Sequence, residues 1–120
     1  MSDVMAESPL LSKSKAFALE IIKVCNEVKS TKRESVLTNQ LIRSGTSIGA
    51  NIREAFCGHS RADFIAKLQI ALKEANETGY WLELLFRTNY ISEEEYKMLD
   101  SACASIRVML IASINTAKSK

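Results

Sequence analysis

The chain is poor in residues that interrupt helices. It has one proline, Pro9, and four glycines in 120 residues, too few for a fold of short strands and tight turns. Cysteine is scarce as well. Cys25, Cys57 and Cys103 are an odd number and form no C-x-x-C pair. That excludes a disulfide framework and suits a reducing compartment. The single histidine, His59, sits beside Cys57 in a loop, whereas a zinc site needs three or four ligands. A Cys–His nucleophile pair wants a third, orienting group that this stretch does not offer. Glu74, Glu77 and Glu83 invite comparison with carboxylate-bundle metal sites, but those require Glu-x-x-His pairs, and none is present. No glycine-rich phosphate loop occurs either. The expectation is a protein that is not an enzyme and holds no cofactor or metal. No apolar stretch looks long enough for the ~18 residues of a membrane span, and Met1–Pro9 lacks the pattern of a signal peptide. The expected location is the cytoplasm, away from membranes.

What is present is helical periodicity. Apolar residues make up 47% of the chain and charged residues 25%, ordinary for a soluble domain. Helix starts are marked by side chains able to accept the orphan N–H groups of a first turn. Ser8 precedes Pro9, a residue favoured in the first helical position. Thr31-Lys32-Arg33-Glu34 and Ser92-Glu93-Glu94-Glu95 have the spacing of capping boxes, and Ser60-Arg61-Ala62-Asp63 is a shorter relative. These signals predict helices over about 9–30, 32–57, 61–88 and 93–117, with Met1–Glu7 as a flexible end. Residues 1–120 then form one domain.

The apolar steps alternate by three and four. They run Leu10, Ser14, Phe17, Ile21, Val24, Val28 in the first helix and Phe64, Leu68, Ala71, Ala75, Thr78, Leu82, Leu85 in the third. The fourth repeats them with Tyr96, Leu99, Cys103, Ile106, Leu110, Ser113 and Ala117. Such stripes pack at the shallow angle of a bundle, and short connections make sequential helices antiparallel. The predicted fold is all-α, an up-down-up-down antiparallel four-helix bundle. Further apolar residues lie beside the main stripes, among them Ile65, Leu72, Trp81, Met98 and Met109. This surplus predicts a homo-oligomer with those five residues at its interface.

The second helix departs from the pattern. Its stripe, Leu37, Leu41, Ser44, Ile48, Asn51, Ala55, carries polar groups inward, and Arg43, Ser47, Asn51 and Glu54 share a face. One reading is a stripe that binds phosphate, a protein or a polar ligand. The preferred reading is an inter-helix polar network of Ser44, Ser47, Asn51 and Glu54, with Gly45, Gly49 and Ala50 allowing close approach. The net charge is only +2. Arg43, Arg53 and Arg61 are nonetheless candidates to face nucleic acid or a partner, because symmetry multiplies a modest patch.

Arg43-Ser44-x-x-Ser47-Ile48-x-x-Asn51-Ile52-x-Glu54 resembles the bacterial 23S rRNA intervening-sequence proteins, also called four-helix bundle proteins. Phe64-Ile65-x-x-Leu68-x-Ile70-Ala71 and Glu74-Ala75-Asn76-Glu77-Thr78-x-Tyr80-Trp81-Leu82 are similar to the family's third helix. Pro9-Leu10-x-x-Lys13-Ser14-x-Ala16-Phe17-Ala18 is similar to its first. Where many relatives carry an Ala-Glu-Gly-like stretch after the Asn, this chain has Arg53-Glu54-Ala55-Phe56. The resemblance implies a four-helix protomer in a barrel-like homopentamer. A related branch, the accessory proteins of diversity-generating retroelements, is more basic and binds nucleic acid and a reverse transcriptase. The functional expectation is a non-enzymatic oligomeric adaptor for structured RNA or DNA, with a protein partner as a further candidate. The alternative is a protein-assembly module with no nucleic-acid role.

Overall fold

In the computed structural model, which describes residues 8–120, helices follow one another with only short breaks. They are α1 (Pro9–Lys32), α2 (Val36–Phe56), α3 (Arg61–Arg87) and α4 (Glu93–Lys118). The expected loose end, Met1–Glu7, lies outside the described residues. Each helix packs on its sequence neighbour, and α4 returns to α1, which closes an antiparallel four-helix bundle 47 × 24 × 21 Å in extent.

Three of the four predicted starts are capped as the sequence suggests. Ser8 accepts from the Leu11 N–H, Ser60 from that of Asp63, and Ser92 and Glu95 form a reciprocal capping box. The start of α2 is a correction. Thr31 is not its cap, because α1 continues to Lys32 and the Thr31 hydroxyl donates back to the Glu27 carbonyl at 2.7 Å. Arg33 ends α1 in the left-handed region (φ 56°). The orphan donors of α2 are met instead by the Glu34 carboxylate, 2.7 Å from the Leu37 nitrogen and 3.0 Å from that of Thr38. The first loop therefore falls at Arg33–Ser35, later than the break near residue 31 that the expected helices 9–30 and 32–57 leave. At the far end of α3, Asn89 (φ 68°) and Tyr90 donate to the carbonyls of Phe86 and Leu85. This is a Schellman ending with Asn in the place usually held by Gly.

The core takes the predicted α1 stripe whole, and that of α3 from Leu68 to Leu85. Two stripes shift by one residue. In α2 the inward position is Ile52 rather than Asn51, and Thr38 rather than Leu37; in α4 it is Ile114 rather than Ser113. Steps of three and four are both compatible with a bundle face, and the apolar or better-satisfied side chain takes the buried place. Buried Thr38 shows this, its hydroxyl donating to the Glu34 carbonyl at 3.1 Å. One helix does reach the length and apolarity of a membrane span, contrary to expectation: α4, with a window of mean hydropathy 1.3. Its Leu99, Cys103, Ile106 and Leu110 fill the bundle core.

Candidate functional site

The polar face of α2 is turned toward α3. Arg43 forms ion pairs with Glu74, at 3.4 Å, and with Glu77. Glu77 also accepts from the Trp81 indole N–H at 3.1 Å. Lower on the same seam Glu54 meets Lys67 at 3.2 Å. Beneath these pairs lies a buried contact in which the Ser44 and Thr78 hydroxyls stand 2.9 Å apart, with Thr78 2.8 Å from the Glu74 carbonyl and Ser44 3.4 Å from that of Leu41. Ser47 and Asn51 bond their own helix instead, to the carbonyls of Arg43 and Ser47. Of the four residues proposed as a network, Ser44 and Glu54 therefore cross between helices, whereas Ser47 and Asn51 do not.

The small residues of α2 work on its other flank, against α1. A Cβ at Gly45 would stand 3.0 Å from Ile21 Cγ2, and one at Gly49 would stand 3.3 Å from Ser14 Oγ. Glycine permits this close approach at a cost of about 1 kcal/mol of helix propensity at each site. Ala50 is exposed and lines an outer groove between the two helices.

The surplus apolar residues divide. Ile65, Leu72, Trp81 and Met109 pack partly against the bundle's own core, and Phe86 stacks on Tyr96 with centroids 4.6 Å apart. Met98 stays 53% exposed, joined by Leu19, Ile22, Ile70, Val108 and Ile111. Sequence reasoning named Met98 but not the other five as interface residues, because several of them fall between the periodic stripes.

Charge is sorted along the bundle axis. The start of α1, the end of α2, the start of α3 and the end of α4 meet at one pole. There Lys13, Lys15, Arg53, Arg61, Lys118 and Lys120 face only Glu54 and Asp63 among the described residues, and Glu54 is taken by Lys67. The opposite pole mixes Lys29, Lys32, Arg33, Arg87 and Lys97 with the acids Glu27, Glu34, Glu83, Glu93, Glu94, Glu95 and Asp100. Arg43 lies between the poles and is engaged by two carboxylates. The three arginines proposed as contacts thus separate: Arg53 and Arg61 stand at the basic pole, and Arg43 does not.

Two clefts open at that pole. One, of about 760 Å³, runs between α1 and α2 past Leu11, Lys15, Leu19, Gly49, Ala50 and Arg53. The other, of about 490 Å³, lies between α3 and α4 and is lined by Arg61, Phe64, Ala112, Ser113, Thr116, Ala117 and Lys120. The thiols offer little chemistry. Burial pushes Cys25 up to about 12 and Cys103 up to about 11. Cys57 is exposed. Among the described residues no cluster of three His, Cys, Asp or Glu side chains is placed to hold a metal.

The class the fold defines is the small all-α antiparallel four-helix bundle. The sequence pattern of the 23S rRNA-intervening sequence protein family matches residues 7–112, and the chain belongs to that family. Among solved structures it is similar to a protein of unknown function from the S23 ribosomal protein family of Bacteroides thetaiotaomicron. The two are 51% identical, with a TM-score of 0.86, over 88% of this chain and 97% of the other. No curated protein matches it.

Proposed function

We propose that the chain is a non-enzymatic, homo-oligomeric adaptor of the cytoplasm that binds structured RNA or DNA through the basic pole of its bundle. The observation behind this reading is the gathering of cations from all four helices at one end, with Arg53 and Arg61 exposed and in no ion pair among the described residues. Phosphate contacts supply most sequence-independent affinity and make it fall with salt. In an oligomer the pole repeats with symmetry, which strengthens its field. The resemblance implied a pentamer, which light scattering would report as a mass near five times the 13.4 kDa chain.

The test is anisotropy of a labelled RNA hairpin and a labelled single-stranded DNA, titrated at two salt concentrations. Binding should weaken linearly on logarithmic axes as salt rises. Arg53→Ala and Arg61→Ala should each flatten that slope by about one unit, as loss of a phosphate contact does. Arg43→Ala should leave the slope alone, since Glu74 and Glu77 already engage its guanidinium. Absence of binding at low salt would favour the second reading, a protein-assembly module. The exposed Leu19, Ile22, Val108 and Ile111 are the observation that supports it.

A further inference from the structure

We infer that the cleft between the first turn of α3 and the last turns of α4 receives one unpaired nucleotide, with its base against Phe64 and its phosphate between Arg61 and Lys120. The inference rests on the nucleic-acid reading above and goes beyond it to the form of strand preferred.

The cleft lies at the basic pole, and its volume of about 490 Å³ falls within the roughly 300–1,000 Å³ of small-ligand sites. Its lining has the three components a nucleotide requires. Phe64 supplies an aromatic wall, held edge-on to Phe56 with centroids 5.5 Å apart, so its position is set by packing. Ser113 and Thr116 supply hydroxyls. Elsewhere in these helices Thr46, Ser47 and Thr78 turn their hydroxyls back to carbonyls of the preceding turn. The hydroxyls of Ser113 and Thr116 make no such bond among the described residues, which leaves them available to the edge of a base. Arg61 and Lys120 supply positive charge at the rim.

The α1–α2 cleft provides a contrast. It is larger and also flanked by cations, but no aromatic ring lines it among the described residues. A base held in a duplex stack must be unpaired and unstacked, at a cost of a few kcal/mol, before it can turn into a side cleft, whereas unstacked bases of loops and single strands stack readily on aromatic side chains. A duplex would therefore meet only the cationic rim, and an unpaired segment would meet the rim and the ring together.

The experiment compares oligoadenylate with an abasic strand of equal length by anisotropy at low salt. The wild type should favour the base-bearing strand by about tenfold, the scale of one base–aromatic stack. The double variant Ala112→Leu/Thr116→Leu fills the cleft from two exposed positions and should erase that preference while keeping salt-dependent binding of both strands. Phe64→Leu, with its fold checked by a thermal melt, should reduce the preference likewise. Equal binding of both strands by the wild type, or a preference unchanged in the filled cleft, would overturn the inference and leave the nucleic-acid reading standing. Binding of neither strand would overturn both.

Discussion

At the scale of single residues, the start of α2 rests on one carboxylate. Glu34 satisfies two orphan N–H groups, and Ser35, in the N-cap position, makes no side-chain cap bond. Glu34→Ala should therefore lower stability by about 1 kcal/mol, the usual worth of a helix cap. Thr31→Ala should change little, and urea denaturation of both variants checks the contrast. The sequence reading placed the cap on Thr31 because Thr31 and Glu34 have capping-box spacing. That spacing is silent about competition from a threonine's own preceding carbonyl, which Thr31 in fact bonds. Ser8, Ser60 and Ser92 were legible because each stands just outside its helix.

The cysteines make a second residue-scale case. Burial raises Cys25 from the ordinary value of 9.0 to about 12 and Cys103 from 9.0 to about 11. Both thiols stay protonated in the fold at pH values where the unfolded chain would ionise them. Their contribution to stability is thus complete below pH 9 and declines as pH rises toward 11 and 12. Denaturant midpoints measured from pH 8 upward should fall over this window, and Cys25→Ala/Cys103→Ala should show a shallower fall. A thiol reagent at neutral pH should modify Cys57 alone until the protein is unfolded.

At the scale of elements, the glycines of α2 and α3 look alike in sequence and differ in surroundings. Gly45→Ala would drive a methyl to 3.0 Å from Ile21, between two packed helices. The repacking should outweigh the helix-propensity gain of about 1 kcal/mol and lower the melting temperature. Gly79→Ala places its methyl at an ordinary 3.6 Å from the Arg107 guanidinium, so the same gain should appear as increased stability. Melting temperatures of the two variants should move in opposite directions. The helices and most of their buried faces were legible because threes and fours in apolar spacing leave little freedom. The pairing of Arg43 with Glu74 and Glu77 was not legible, since it depends on the register between α2 and α3, which neither helix carries alone.

At the scale of the molecule, apolar side chains left outside the core bear on self-association. The five interface residues named from sequence were chosen for their place beside the main stripes, but four of them also pack onto the protomer's own core. Leu19 and Val108, at 62% and 67% exposed, carry the expectation better. Leu19→Lys and Val108→Lys should reduce the scattering mass while leaving the melting temperature of the protomer little changed; Leu72→Lys, at a half-buried position packed on the core, should lower it. The basic pole was hidden in the sequence for a related reason. Its cations come from four separate places along the chain, and only the alternation of helix direction brings them together.

That alternation gives the protomer an electrical direction, positive at one pole and mildly negative at the other. Copies arranged around a common rotation axis would all point the same way, and their fields would add on a single rim. Copies related by a perpendicular twofold would point in opposite directions and cancel. The symmetry of the assembly thus determines whether it has one charged mouth, able to take hold of a strand from one side only, or two opposed ones.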